Sequence, residues 1–176
     1  MNRRKILSLS SSTAFAAIAV AGLYGTAGVY LTRRARAAMP PSSAIQYRVT
    51  HTDAEWRKIL SPAAYDVLRE AGTEAPFTSP LLHEERQGVF NCAGCALPLY
   101  SSATKYDSGT GWPSFWDHLP NAILTSADDS FGMARTEVHC SQCGGHLGHV
   151  FPDGPPPTGL SYCMNGVALS FTPRTA

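Results

Sequence analysis

The chain has 176 residues, of which 44% are hydrophobic and 15% charged, and its formal net charge is +1. This composition excludes the collagen-like, coiled-coil and wholly disordered classes, and the length suits one domain with a sizeable core. The charge is divided unevenly. Residues 1–37 carry six basic residues and no acidic one. The rest of the chain contains the other eight basic residues and all 13 acidic residues, which gives it a net charge of −5. We therefore expect a basic leader joined to an acidic domain, and the acidic domain argues against nucleic-acid binding.

Residues 1–37 have the pattern of an export signal. The pair Arg3-Arg4 precedes a stretch of 18 residues without charge, from Ala14 to Leu31, and Ala35-Arg36-Ala37 has the small-x-small pattern that signal peptidase cleaves. With Ile6-Leu7 after the arginines, the leader resembles a twin-arginine export signal. An uncleaved membrane anchor is the alternative, because 18 residues just reach the length of a membrane span. The sequence predicts a protein that is exported, either periplasmic or anchored facing the periplasm, and leaves cleavage open.

Two short helices are predicted to follow a linker rich in Pro and Ser at residues 38–45. Thr52 and Glu55 form a capping box, in which the Thr hydroxyl accepts from a first-turn N–H and the Glu side chain reaches back. Ser61-Pro62 supplies an N-cap and a first-turn proline for a second helix, which we expect to stop at Gly72.

Beyond residue 73, short apolar runs alternate with Gly, Pro, Ser and Asp, which predicts antiparallel strands joined by long loops. The predicted strands are Val89-Phe90, Leu97–Tyr100, Ile123–Thr125, Thr136–His139 and Tyr162–Phe171. The fold class predicted is therefore mainly β, with short helices at the N-terminal end of the domain.

Two C-x-x-C pairs, Cys92 with Cys95 and Cys140 with Cys143, predict a zinc site. Each pair can deliver two thiolates from a tight turn, and four thiolates complete the tetrahedral shell of one Zn²⁺ ion. Such a zinc is structural because no coordination position remains open. Two disulfides are an alternative that the periplasm favours, and a C-x-x-C redox motif is another.

Cys163 is the fifth cysteine and has no partner in the sequence pattern. A lone cysteine in a strand is often a small buried hydrophobic residue, but an odd thiol in an exported protein favours a reactive role. A thiolate needs nearby positive charge or hydrogen-bond donors, and His146 and His149 can provide them. Because their spacing fits neither one face of a regular strand nor a helix among so many glycines, we expect a loop that points both rings at one place.

The domain resembles methionine sulfoxide reductase of the B type over residues 46–173. The resemblance is carried by several long motifs in the right order, which are TEAPFTSPL (73–81), CAGC (92–95), DSGTGWPSF (107–115), TEVHCSQCGGHLGHVF (136–151), DGPPPTGL (153–160) and YCMNG (162–166). It implies a small domain of two antiparallel sheets with helices packed at the N-terminal end.

The resemblance also implies the chemistry. The substrate is the R epimer of methionine sulfoxide, whose sulfur the Cys163 thiolate attacks, leaving methionine and a cysteine sulfenic acid. The implied surroundings of the sulfoxide are His146, His149 and Asn165 for protons and hydrogen bonds, Trp112 for the S-methyl group, and Asp153 to orient a histidine.

Two positions depart from the family pattern. Thr110 stands where many members have a resolving cysteine, so we expect an external thiol or a partner protein to reduce the Cys163 sulfenic acid. Ser161 stands where the family usually has Arg, and the loss of a guanidinium raises the thiol pKa, other things being equal.

The expected partners are oxidised methionine residues in proteins and a thiol reductant, with no nucleic acid, and the enzyme is expected to be a monomer. The sequence leaves open the physiological reductant and whether free methionine sulfoxide is also a substrate. A zinc-knuckle module for nucleic acid and a thiol–disulfide exchanger are the alternatives; the −5 domain disfavours the first, and the missing C-x-x-C companion of Cys163 disfavours the second.

Overall fold

The computed structural model describes residues 45–175, and this part begins with two helices, α1 (Asp53–Ile59) and α2 (Pro62–Glu70). The capping box is confirmed, since Thr52 N–H donates to Glu55 Oε2 at 2.8 Å and Glu55 N–H donates to Thr52 Oγ1 at 3.3 Å. Ser61 caps α2, which ends just before the expected Gly72. No helix in residues 45–175 is long and apolar enough to span a membrane. The predicted leader at 1–37 and nearly all of the predicted linker lie outside the described residues.

Nine strands follow in the described range, and all of their pairings are antiparallel. They form a three-stranded sheet in the order β2-β1-β9 and a six-stranded sheet in the order β3-β4-β8-β7-β6-β5. This confirms the predicted fold class. The strands are β1 (Gly88–Cys92), β2 (Pro98–Ser101), β3 (Lys105–Tyr106), β4 (Ser114–Phe115), β5 (Ile123–Asp128), β6 (Arg135–Cys140), β7 (His146–Phe151), β8 (Ser161–Met164) and β9 (Leu169–Pro173).

The predicted strand Tyr162–Phe171 is wrong as a single element. The chain leaves β8, forms a 3₁₀ turn over Gly166–Ala168, and continues as β9 in the other sheet. The turn is held by Glu74, whose Oε2 accepts from the backbone N–H of Gly166 at 2.6 Å and of Val167 at 3.3 Å. Since this partner lies more than 90 residues away, the apolar pattern of the run could not show the break.

The loop predicted around the two histidines is also wrong, because this segment is strand β7. The strand contains a β-bulge. Gly148 pairs with Val138 while His146 pairs with the next residue of β6, so Leu147 has no partner of its own. One extra residue reverses the alternation of side chains, and this places His146 and His149 on the same face despite their odd spacing.

The core is formed by the two sheets and the buried face of the helices. Phe115 is fully buried, stacks on Tyr100 with ring centroids 4.4 Å apart, and meets Phe90 edge-on at 4.9 Å. Trp56 and Leu68 bring the helices into the same cluster. Burial of each such side chain contributes about 1.5–3 kcal/mol. The core thereby fixes the six-stranded sheet, which carries His146 and His149 on β7 and Cys163 on β8.

Candidate active site

A row of paired residues crosses the six-stranded sheet through Cys163. The register pairs Tyr106 with Ser114, Ser114 with Cys163, Cys163 with His149, and His149 with Glu137. Directly paired residues of antiparallel strands have side chains on the same face. The thiol therefore lies between hydroxyl groups on one side and a histidine with a carboxylate on the other.

Both histidines are oriented by carboxylates. His146 Nδ1 is 2.8 Å from Glu137 Oε1, His149 Nε2 is 2.7 Å from Asp128 Oδ2, and the two ring centroids are 5.4 Å apart. Asp153 was expected to orient one of them, but none of the hydrogen bonds among residues 45–175 joins it to either ring. The physical reason is the strand order, because β6 lies beside β7 with β5 beyond it, and Glu137 of β6 and Asp128 at the end of β5 bring their carboxylates to the rings.

The charges of the His146–Glu137 pair are set by burial and by their contact. Burial lowers the pKa of His146, while the Glu137 carboxylate acts in the opposite direction. Burial also acts to raise the pKa of Glu137, but its hydrogen bonds from His146 and Ser126 outweigh this effect and leave that pKa below its ordinary value. His146 is thus mostly neutral near pH 7, beside an ionised carboxylate that stabilises its protonated form.

A cavity of about 130 Å³ opens where Cys163, His149, Asn165 and Trp112 meet. The remaining wall is formed by Thr73, Arg135, Gly148 and Phe151. The Trp112 indole is held in place by a hydrogen bond from its Nε1–H to the backbone oxygen of Glu74 at 2.9 Å. Four of the predicted site residues therefore share one cavity, with His146 next to it through its contact with His149. We call this cavity the thiol cavity.

Asn165 is buried, and its amide connects two segments of backbone at the thiol cavity. Its Oδ1 accepts from Glu74 N–H at 2.8 Å, and its Nδ2–H donates to the carbonyl of Leu147 at 3.1 Å. Glu74 in turn binds Trp112 and the turn after β8. Asn165 thus holds the tryptophan-bearing side of the cavity to the bulged strand β7.

The Cys163 thiol is half-buried, and burial raises its pKa above the ordinary value. Thr110 Oγ1 lies 3.7 Å from Cys163 Sγ. Hydrogen bonding from Thr110 and Ser114 offsets part of the rise in the Cys163 pKa that burial causes. Ser161 is buried and accepts a hydrogen bond from the Tyr106 hydroxyl at 2.6 Å. Both departures from the family pattern therefore lie close to the thiol.

Arg135 brings a guanidinium to the thiol cavity, although position 161 does not. Its Nη2 lies 2.8 Å from Asp128 Oδ2, the same carboxylate oxygen that contacts His149. Hydrogen bonds from the side chain and backbone of Ser130, followed by the contacts with His149 and Arg135, hold the Asp128 pKa well below its usual range. The carboxylate is thus ionised across the physiological pH range and connects the arginine to the histidine.

The four cysteines of the two C-x-x-C pairs form a separate cluster, with all four Sγ atoms within 4.8 Å of one another. The Sγ atoms of Cys92 and Cys143 are 3.7 Å apart, and those of Cys95 and Cys140 are 3.5 Å apart. Disulfides require about 2.05 Å, whereas four sulfurs at about 2.3 Å from a central Zn²⁺ are separated by roughly 3.8 Å. The cluster is therefore a metal-binding arrangement of free thiols, and the disulfide alternative does not fit.

Sequence reasoning missed four residues of the site, which are Glu74, Asp128, Arg135 and Glu137. Glu137 could have been found, because it lies on the strand before the histidines, and a hairpin places that strand next to theirs. The other three are separated from their partners by turns whose geometry the sequence does not specify. Asp153 lies on the far side of Cys163, in a different cavity with Thr110 and Ser161.

Comparison with known proteins agrees with this geometry. The SelR domain matches residues 60–173. A peptide methionine sulfoxide reductase MsrB of Agrobacterium fabrum (strain C58) is 52% identical over 127 residues, covering 72% of this chain and 94% of the relative. The MsrB of Thiobacillus denitrificans is 55% identical over 124 residues, covering 70% and 94%. The MsrB of Methanosarcina barkeri is 50% identical over 127 residues, covering 72% and 89%. The chain belongs to the SelR domain family.

Proposed function

We propose that this protein reduces the R epimer of methionine sulfoxide in oxidised proteins to methionine, with Cys163 as the nucleophile. Family membership supports the broader activity, an oxidoreductase that reduces methionine sulfoxide and repairs proteins. The observation that carries the finer assignment is the thiol cavity, in which Cys163 is paired with His149 and shares the wall with Trp112.

In the first step the Cys163 thiolate attacks the sulfoxide sulfur. The sulfoxide oxygen takes up a proton, the sulfur–oxygen bond of the substrate breaks, and the oxygen becomes the hydroxyl of a Cys163 sulfenic acid as methionine leaves. The proton comes from the histidine pair, because Glu137 stabilises the protonated form of His146 and the two rings are adjacent. The cysteine is thereby oxidised by two electrons and the substrate sulfur reduced by two.

Substrate choice follows from the walls of the thiol cavity. At about 130 Å³ it admits a sulfoxide with its methyl group and little more, and the indole of Trp112 offers an apolar surface for that methyl. The chain on either side of the methionine remains outside, which favours oxidised residues in proteins and allows the free amino acid.

The sulfenic acid is reduced by an external thiol. The chain has five cysteines, and the other four form the metal cluster, so Cys163 has no internal partner without loss of the metal. The first thiol releases water and forms a mixed disulfide with Cys163, and a second thiol restores the free cysteine. Thioredoxin-like proteins and small thiols both supply this chemistry.

We assign one structural Zn²⁺ ion to Cys92, Cys95, Cys140 and Cys143. The sulfur separations and the set of four cysteine ligands suit tetrahedral zinc, which would connect the turn after β1 to the turn between β6 and β7. The active enzyme is proposed to be a monomer. The leader supports export to the periplasm, either as a cleaved protein or membrane-anchored.

The test is a turnover assay with separate R and S epimers of a methionine sulfoxide peptide and dithiothreitol as reductant. The wild-type protein should reduce the R epimer alone, and Cys163→Ser should be inactive while retaining the wild-type unfolding temperature. A single turnover without reductant should leave a sulfenic acid on Cys163, which dimedone captures and mass spectrometry locates. Equal activity of wild type and variant, or preference for the S epimer, would refute the proposal.

A further inference from the structure

A second cavity lies beside Cys163 on the side away from the thiol cavity. It has a volume of about 370 Å³, and its wall includes Thr110, Ser161, Asp107 and Asp153. The position of the second cavity follows from the strand order. Strand β8, which carries Cys163, has β7 with His149 on one side and β4, followed by β3, on the other. Tyr106 of β3 also lines the second cavity. Cys163 therefore lies between two cavities along the row of paired residues.

The chemistry of sulfenic acid reduction requires access from two sides. The sulfoxide oxygen arrives from the thiol cavity and becomes the hydroxyl group on Cys163. Displacement at a divalent sulfur proceeds in line, so a reducing thiolate has to approach opposite to the departing hydroxyl. That direction is away from His149 and towards β4 and β3, where the second cavity opens.

Thr110 connects the second cavity with the sulfur. Its side chain is exposed and lines the cavity, and its hydroxyl is 3.7 Å from Cys163 Sγ, so Thr110 links the cavity to a thiol that is not itself among the lining residues. Ser161 forms part of the floor, where its buried hydroxyl is held by Tyr106. A long side chain at position 161 would occupy the space that the small serine leaves open.

The second cavity carries negative charge. Asp107 and Asp153 are exposed at its wall, and no lysine or arginine is among its lining residues in the part of the chain that the structure describes. Asp107 is held in position because its Oδ1 accepts from Gly109 N–H at 2.9 Å, at the start of the loop that carries Thr110. Two carboxylates near one sulfur repel an anion and attract a cation at ordinary ionic strength.

We propose that the second cavity receives the external reducing thiol, and that Asp107 and Asp153 select a thiol with no negative charge beside its sulfur. This inference rests on the sulfenic acid of the proposed function. The thiolate sulfur forms a bond to Cys163 Sγ, the sulfur–oxygen bond breaks, and hydroxide leaves as water after taking up the proton released by the thiol. The thiol is oxidised to a mixed disulfide, and a second equivalent of the same thiol reduces that disulfide.

The experiment generates the sulfenic acid on the full-length protein with one equivalent of hydrogen peroxide, so it does not depend on methionine sulfoxide. Its decay is followed by dimedone capture with three thiols at equal thiolate concentration, cysteamine (cationic), 2-mercaptoethanol (neutral) and 2-mercaptoethanesulfonate (anionic). The double variant Asp107→Asn/Asp153→Asn keeps the shape of both side chains and the acceptor oxygen for Gly109. Asp53→Asn on helix α1, outside the cavity, is the matched control.

The cationic thiol should react faster than the anionic one in the wild type, and the ratio of the two rate constants should fall about tenfold in the double variant. The ratio should remain at the wild-type value in Asp53→Asn, and 1 M salt should reduce it in the wild type. An equal ratio in the wild type and the double variant would overturn the proposal. Failure of the proposed function appears separately, as absent turnover of the sulfoxide with an intact peroxide-derived sulfenic acid.

Discussion

The Glu137→Gln variant tests whether the His146–Glu137 pair supplies the proton to the sulfoxide. Glutamine keeps the size of the side chain and an acceptor oxygen at 2.8 Å from His146 Nδ1, but it removes the negative charge. A charge-assisted hydrogen bond contributes about 1.5–3 kcal/mol and a neutral one about 0.5–1.5 kcal/mol. The loss of about 1 kcal/mol from the protonated form of His146 corresponds to a decrease of roughly fivefold in the imidazolium population.

The direction in which Glu137→Gln changes kcat/KM follows from the shifts in the pKa values of His146 and Cys163. Burial lowers the pKa of His146 and raises that of Cys163. Between the two pKa values the thiolate fraction rises with pH as fast as the imidazolium fraction falls, so their product, and with it kcat/KM, is constant. We expect Glu137→Gln to lower this plateau about fivefold and to move its acidic edge to lower pH, since His149 and Asp128, the other titratable neighbours of His146, remain in place.

The assay is kcat/KM for the R sulfoxide peptide from pH 5 to pH 10, with Glu85→Gln as the matched control because Glu85 is exposed and distant in sequence from the pair. Stability provides a second measurement. Because the folded-state pKa of His146 is depressed, its contribution to stability is present above about pH 6.5 and is lost as the pH falls through the folded pKa. This loss should be larger in Glu137→Gln. An unchanged plateau and acidic edge would show that another group donates the proton.

Three further predictions concern the metal, the thiol and the leader. Cys95→Ser should lose bound zinc and several kcal/mol of stability; metal analysis and thermal unfolding measure this, and retention of one zinc per chain would contradict it. Ser161→Arg should lower the pKa of Cys163 and accelerate its alkylation by iodoacetamide at pH 7; an unchanged rate would show that position 161 does not control the thiol. N-terminal sequencing of the exported protein should begin near Ala38, whereas a start at Met1 in the membrane fraction would indicate an anchor.

Much of the fold could be read from local signals. The capping box at Thr52 and the N-cap at Ser61 were identified because capping involves residues three positions apart. The strands β1, β2, β5 and β6 were located by apolar runs between turn residues. The strand β7 was missed, because a β-bulge changes the alternation on which strand prediction depends.

The sequence predicted the candidate nucleophile and the candidate metal ligands, but not the carboxylates that orient the two histidines. Cys163 and the metal cysteines have distinctive spacing, and the motif around Trp112 was recognisable. The carboxylates of Asp128 and Glu137 were not identified as histidine partners, since hydrogen bonds across strands depend on register. The family resemblance implied that Asp153 orients one of the histidines. The structure instead places Asp153 in the wall of the second cavity, together with Ser161.

The unequal division of charge was determined by the sequence alone, as were the mainly β class, the two C-x-x-C pairs and the choice of Cys163 as the candidate nucleophile. These properties depend on composition and on short spacings. Only the tertiary structure decided which carboxylate meets which histidine, that a bulge brings both rings to one face, and that Cys163 lies between two cavities. The physical reason is that these contacts join different strands, whose register is set by the packing of the whole sheet against the core.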